Sequence, residues 1–436
     1  MEITHLCNSF LYLRIGKTKL VCDPWVGSTF DNSWVSTPIN LNGVKIMEEI
    51  NPNYIYISHL HCDHFDIKLL KGLKNKNSVI IIKKFKIPIL KNRILKLGFR
   101  NILEIDPWKI KKINEDISVS IVPQSSNNNE SIDGAINYDL DTSIIIKSNK
   151  SKKIFYNNVD NPMNNNDLKK VRTFIKKKMK SKINICSLNV GAASEYPQCF
   201  LNIDRKKEKD RIVNISLQNI KKRLDALGAK FFFTSGGAYK IGGKYYNLNK
   251  YISFVHFKKI KNLALKKHHA FDLFGGKTVI LKKNKFILKK SIFKNYISKS
   301  TFRNLKYSYE SKNNINLKKL DTLFKKSLLN YNKTLSKFNI PSSWNIKLYI
   351  YENLKLNNVG RINMSNSKIV RLYKFNYQKK KRHCSMILHL DCNLLFNLLT
   401  KKIPWNPAIS GSFIMFERRP NLFYPDLTAS LNFLTI

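Results

Sequence analysis

Three of the chain's nine histidines fall in the six-residue run His59-Leu60-His61-Cys62-Asp63-His64. Imidazole and carboxylate groups are the side chains that hold zinc or iron. Two histidines spaced i, i+2 and followed by Asp-His put four of them on one short turn. A metal held there lowers the pKa of its bound water toward about 7 and polarises a substrate oxygen. The competing reading is a cluster of surface histidines without function, and the ordered spacing speaks against it. Cys62 occupies an intervening position and is read as packing rather than as ligand or nucleophile.

Something must position these groups. Asn53-Tyr54-Ile55-Tyr56-Ile57-Ser58, ahead of the turn, is β-branched and aromatic and reads as a buried strand. Phe65 to Lys74, behind it, reads as a helix with Phe65, Leu69, Leu70 and Leu73 on one stripe. The ligands then sit at the mouth of a strand-to-helix turn, where open α/β layers place their sites. Other strands are expected near Thr18–Asp23, Val79–Ile82, Ile117–Val122, Asp141–Lys147, Lys153–Asn158 and Asn184–Asn189. Lys230–Thr234 is expected as the last strand of this unit, and a long helix from Lys206 to Leu227 stops at Gly228. This pattern predicts an α/β fold, two packed sheets with helices outside, over residues 1–260. Residues 261–340 read as a basic, partly helical connector, and 341–436 as a small α/β accessory domain.

The 436 residues carry 78 Lys and Arg against 29 Asp and Glu, a formal charge of +49. Lysine dominates and is spread along the whole chain, which points to a solvated surface rather than a nucleic-acid groove. Such a field still attracts a small anionic substrate. No apolar run approaches the roughly 20 residues of a membrane span, and no secretory signal is visible. The seven scattered cysteines fit a reducing cytoplasm, the expected location.

These motifs resemble the metallo-β-lactamase superfamily, which implies an αββα sandwich. The resemblance covers about residues 1–245. It implies that His59 and His61 hold one metal, that Asp63 and His64 hold a second, and that Asp160 bridges them after the strand at 154–159. It also implies that Asp23, in Asp23-Pro24-Trp25, orients the ligand turn without binding metal. His5, Val21-Cys22-Asp23-Pro24-Trp25, Asp139-Leu140-Asp141-Thr142 and Gly191-Ala192-Ala193-Ser194-Glu195-Tyr196-Pro197 resemble the branch of the CMP-N-acetylneuraminate hydroxylases.

Departures from that branch bear on the chemistry. Its hydroxylases carry a Rieske iron–sulfur cluster, which needs paired Cys/His motifs. The only Cys-x-His here is Cys62-Asp63-His64, with no Cys-x-x-His to pair with it. The third-motif histidine is missing between Ser118 and Thr142, where Gln124 or Asn137 stands in its neighbourhood. The late histidine is missing too. His256 is the nearest candidate and reads as a core residue, while His268 and His269 read as solvated.

The expected function is a metal-dependent hydrolase holding one or two zinc ions, or iron, with Asp63 as proton acceptor. A sugar, nucleotide sugar or lipid-linked molecule is the implied substrate. His5, Asn137, Ser194, Tyr196 and Tyr239 are candidates to contact it. Two alternatives stay open. One is the metal-bearing component of a hydroxylase served by a separate electron-transfer protein. The other is a degenerate, non-catalytic binding module.

Overall fold

Alternation of side chains along the strands dictates the layering. In Tyr54–Tyr56 and the residues that follow it, Ile55 and Ile57 point one way and Tyr54 and Tyr56 the other. Both directions are buried, so the strand must lie in a sheet covered on both faces. A computed structural model describes residues 1–38, 41–124, 141–191, 193–263, 265, 267–282, 285–291, 300–310, 315–337, 344–376, 384–423 and 425–436.

One sheet has eight strands, in the order Lys285–Lys289, Lys277–Lys282, Glu2–Cys7, Phe10–Ile15, Thr18–Cys22, Tyr54–Tyr56, Val79–Lys83 and Ile102–Ile105. The second has seven, in the order His269–Phe271, Phe231–Ser235, Ile183–Asn189, Ile154–Asn157, Ser143–Ser148, Ile117–Val122 and Lys111–Lys112. The inner faces meet in one core, with Ile3, Leu11, Leu13 and Leu20 against Val119, Ile121, Ile144 and Phe155. Helices Gly43–Ile50, Ile67–Gly72 and Ile89–Lys96 cover the outer face of the first sheet through Met47, Leu70 and Ile94. Helices Asn165–Lys177 and Arg205–Leu227 cover the second through Leu168, Val171, Ile220 and Leu224. The molecule is an αββα sandwich, as the resemblance implied.

Local chemistry explains the element ends. The Asp204 carboxylate caps the long helix by accepting from the amides of Lys206 and Lys207. Gly228 closes it at φ +65°, a left-handed conformation that costs glycine nothing. The short helix after the ligand turn starts where Asp66 accepts from the Leu69 amide at 3.0 Å.

The sandwich runs past the expected boundary at 260, and Lys230–Thr234 is not its last strand. Lys277–Lys282 pairs with the first strand, Glu2 opposite Ile280, and His269–Phe271 extends the second sheet. The connector reading of 261–340 is therefore corrected: its first part is sheet. Its later part includes the helix Leu317–Lys337, which buries Leu320, Phe324, Tyr331 and Leu335 against the C-terminal sheet. That sheet has the order Ile369–Asn376, Trp344–Tyr351, Cys384–Asp391, Met415–Arg419. Its core is continuous with Trp34, Phe200 and Tyr239 of the sandwich. Arg205 ties the two parts, donating to the carbonyls of Gln198, Val359 and Gly360 at 2.9–3.2 Å.

Among the described residues no helix is long and apolar enough to cross a membrane.

Candidate metal centre

The turn after Tyr54–Tyr56 folds around a buried carboxylate. Asp23 has φ +43° at the end of its strand and is fully buried. Its Oδ1 accepts from the Ser58 amide and its Oδ2 from the Ser58 hydroxyl, both at 2.8 Å. Oδ2 also lies 3.0 Å from His64 Nδ1. Ser58 Oγ is 2.9 Å from His59 Nδ1. One carboxylate and one hydroxyl thus fix two imidazoles by their Nδ1 atoms and leave both Nε2 atoms facing the cleft. The orienting role implied for Asp23 has this geometry.

Around those Nε2 atoms the other donors converge. His59 Nε2 is 2.8 Å from His61 Nδ1 and 3.2 Å from Asp141 Oδ1. His64 Nε2 is 3.1 Å from Asp160 Oδ2 and 3.5 Å from Asp63 Oδ2. Two triads result, His59-His61-Asp141 and His59-His64-Asp160, each with ligand atoms within 4.8 Å of one another. Asn189 Nδ2 holds Asp160 Oδ1 at 2.7 Å, and Asn8 Nδ2 reaches Asp63 Oδ2 at 3.4 Å.

Electrostatics follow from crowding without water. Burial lowers the His59 pKa far below its ordinary value, reinforced by the His64 and His61 charges, so this imidazole is a neutral donor. Burial opposes charge on His64 as well, but Asp160, Asp63 and Asp23 overcome it and hold that ring protonated well above the usual range. Burial raises the Asp63 carboxyl, partly offset by His64. Asp160 is lowered because His64 outweighs its burial.

The donor set fits a metal. Three imidazoles and three carboxylates, all at least largely buried, converge, and a cation displacing the His64 proton would satisfy the carboxylates that this ring pairs with. His59, His61 and Asp141 would hold one ion, and His64 and Asp160, with His59 within reach, a second.

The structure brings His59, His61, Asp63, His64 and Asp160 together, as expected. Asp63 joins neither triad, and Asp141 does. Asp141 lies in the family-like stretch Asp139-Leu140-Asp141-Thr142, within the segment from Ser118 to Thr142 that lacks a third-motif histidine. Asn137 lies outside the described residues. Gln124 lines a different cavity, beside Trp108 and Phe174.

The proposed substrate contacts divide. His5 is buried, with Nε2 2.6 Å from the Asn8 carbonyl, and burial lowers its pKa to about 4. It and Tyr239 line a cavity that also includes Gly236. Tyr239 stacks on Trp34 with ring centres 3.7 Å apart. Ser194 and Tyr196 line another cavity, with Arg418 and Asn421 of the C-terminal part, and Tyr196 donates to Glu208 at 2.7 Å. None of the cluster's residues lines that cavity.

Cys62 packs against apolar neighbours, and burial pushes its thiol up to about 12. His256 is exposed at the start of a short helix, not a core residue. His268 is buried rather than solvated, bonded to the Ala229 carbonyl and to Asp225, while His269 is exposed.

No family model matches the chain. It is 31% identical over 125 residues to a Mycobacterium tuberculosis protein named as a Rieske 2Fe-2S iron–sulfur protein, a match covering 28% of this chain and 24% of that one. It is 28% identical over 167 residues to the cytidine monophosphate-N-acetylneuraminic acid hydroxylase of Xenopus laevis, covering 37% of this chain and 26% of that one. Among solved structures, the isothiocyanate hydrolase from Delia radicum gut bacteria is similar with TM-score 0.44 and 14% identity, over 64% of this chain and 99% of that one. The chain spans about a quarter of the length of the curated relatives it matches.

Proposed function

We propose that this chain is a metal-dependent enzyme of the metallo-β-lactamase fold, a hydrolase in type, acting on a small anionic substrate. The observation that carries this is the convergence of two sets sharing His59, one with His61 and Asp141 and one with His64 and Asp160, with Asp63 Oδ2 3.5 Å from His64 Nε2. When bound, one or two cations supply an activated water and a Lewis acid for an ester, amide or phosphodiester. The chain's own residues do the rest. Asp23 and Ser58 keep the imidazoles aimed. Asp63, raised by burial and outside both triads, accepts the proton that the attacking water loses. The test is hydrolysis of a panel of phosphodiesters, carboxylic esters and amides by protein reloaded with zinc or iron. Turnover that requires metal and is lost in Asp63→Asn supports the reading. Metal-loaded protein inert on every class counts against it.

A second reading has its own support. Asp141 supplies a carboxylate where a histidine was sought, giving a two-histidine, one-carboxylate set, and hard oxygen donors suit iron. Two relatives are named for a Rieske centre and for a hydroxylase. In this reading the chain is the metal-bearing component of a hydroxylase. Oxygen is reduced with two electrons from a separate Rieske protein, one atom entering substrate and one leaving as water. Oxygen uptake coupled to product in the reconstituted pair, and none without the partner, separates it from hydrolysis. Substrate binding by metal-loaded protein with neither hydrolysis nor oxygen-dependent turnover would favour a non-catalytic module.

A further inference from the structure

A cavity of about 420 Å³ adjoins the metal cluster, lined by His5 of the strand Glu2–Cys7 and by Thr234 and Phe271 of the strands Phe231–Ser235 and His269–Phe271. Gly236 belongs to its wall, and a Cβ built there would stand 3.1 Å from Asp160 Oδ1. Ala238, also in the wall, donates its amide to Asn8 Oδ1, and Asn8 in turn reaches Asp63. Cavity and carboxylates therefore share one thin partition of small residues, and the volume suits a small molecule.

The lining has two characters. Phe254, Phe257, Phe271 and Phe274 are only half-buried and give apolar ring surface. Phe254 and Phe274 lie 6.3 Å apart, with His5 edge-on to Phe274 at 5.7 Å. Lys209 and Lys240 supply positive charge, with His256 beside them in the lining. Among the described lining residues the one acid, Asp272, is paired with Lys277. Burial first, and then Lys240, Lys209 and Lys259, lower the His256 pKa, the mark of a positive field at this wall. A positive field of this kind attracts an anion.

We propose that this cavity is the substrate-recognition pocket, taking a molecule that joins a phosphate or carboxylate to a flat apolar ring. Lys209 and Lys240 hold the anionic group, and Phe254 and Phe274 hold the ring. Its place in catalysis rests on the metal-enzyme reading above, whereas binding in the pocket does not. Lys209 keeps spare donors, since its ammonium has one carbonyl partner, Lys250 at 2.7 Å.

The experiment is calorimetric titration of the full chain with phenyl phosphate, benzoate, inorganic phosphate and benzyl alcohol. It is done with metal-stripped and metal-loaded protein, so that phosphate bound to a metal is told apart from phosphate bound to lysine. The expected result is binding of phenyl phosphate or benzoate to the stripped protein, at least tenfold tighter than benzyl alcohol. Lys209→Gln and Lys240→Gln should each weaken it about tenfold, Lys240→Arg should retain it, and Phe274→Ala should weaken the ring-bearing probes but not inorganic phosphate. Circular dichroism and melting curves of the variants confirm that each folds. Equal binding of the alcohol, or affinity unchanged in both glutamine variants, overturns the pocket. So does binding that needs metal and ignores the lysines. Lysine-dependent binding alongside a failed metal analysis would leave the pocket standing and remove only the enzyme reading.

Discussion

Asp23 Oδ2 sits 3.0 Å from His64 Nδ1, and the same carboxylate grips the Ser58 amide and hydroxyl. A residue 41 positions before His64 thereby sets the direction in which that imidazole presents its second nitrogen. Outer partners of this kind tune metal affinity nearly as strongly as ligands do.

Asp23→Asn should therefore weaken metal binding by roughly 10–100-fold while leaving the fold intact. Chelator competition measures the affinity and far-ultraviolet circular dichroism the fold. Unchanged affinity would show that the turn holds its own shape.

Asp141→Ala should remove one metal equivalent, or the tighter part of a single site, and Asp141→His should restore binding with a shift toward zinc, because nitrogen replaces a hard oxygen donor. Metal content after loading with equal zinc and iron reads this directly. An alanine variant with full content would return Asp141 to a structural role.

Metal affinity should rise with pH. In the metal-free cluster three carboxylates hold His64 protonated well above the ordinary imidazole range, and a cation must displace that proton. For stability of the metal-free protein the sign is opposite. A raised histidine pKa contributes fully below the unfolded value of about 6.5 and is lost as pH climbs through the folded value. Stripped protein should therefore lose this contribution on going alkaline, while loaded protein gains from metal. Melting curves of both forms across pH 6–9 test the crossing.

Gly236→Ala should damage the centre more than the fold. Its φ of +83° is unfavourable for alanine, at about 1–2 kcal/mol, and the new Cβ would press on Asp160 at 3.1 Å. A fall in metal content with only a small loss in melting temperature is the expected outcome.

Arg205→Ala would leave the carbonyls of Gln198, Val359 and Gly360 without their donor. A loss of about 2–4 kcal/mol is expected, and lysine should not rescue it, because one ammonium lacks the planar reach of a guanidinium. Urea unfolding of the three proteins measures this.

Much of the fold was legible wherever its signal was local. The strand before His59, the helix closed by Gly228 and the hairpin around Ser148–Ser151 all follow from short-range pattern and turn chemistry. Strand Lys277–Lys282 was not legible. Its flanking lysines match the basic background, and its partner Glu2 lies at the other end of the chain. Asp141 escaped for a similar reason: a single carboxylate ahead of a strand carries no spacing signal, and only the folded sheet brings it to His59. The ligands on one turn were readable, and the one recruited from a distance was not.

The most direct measurement is transition-metal content of purified protein compared with His59→Ala and His61→Ala. The account predicts about one or two equivalents of zinc or iron in the parent chain and a loss of most of it in both variants, with the fold retained. Metal content unchanged in both variants would contradict the assignment of this turn as the metal centre.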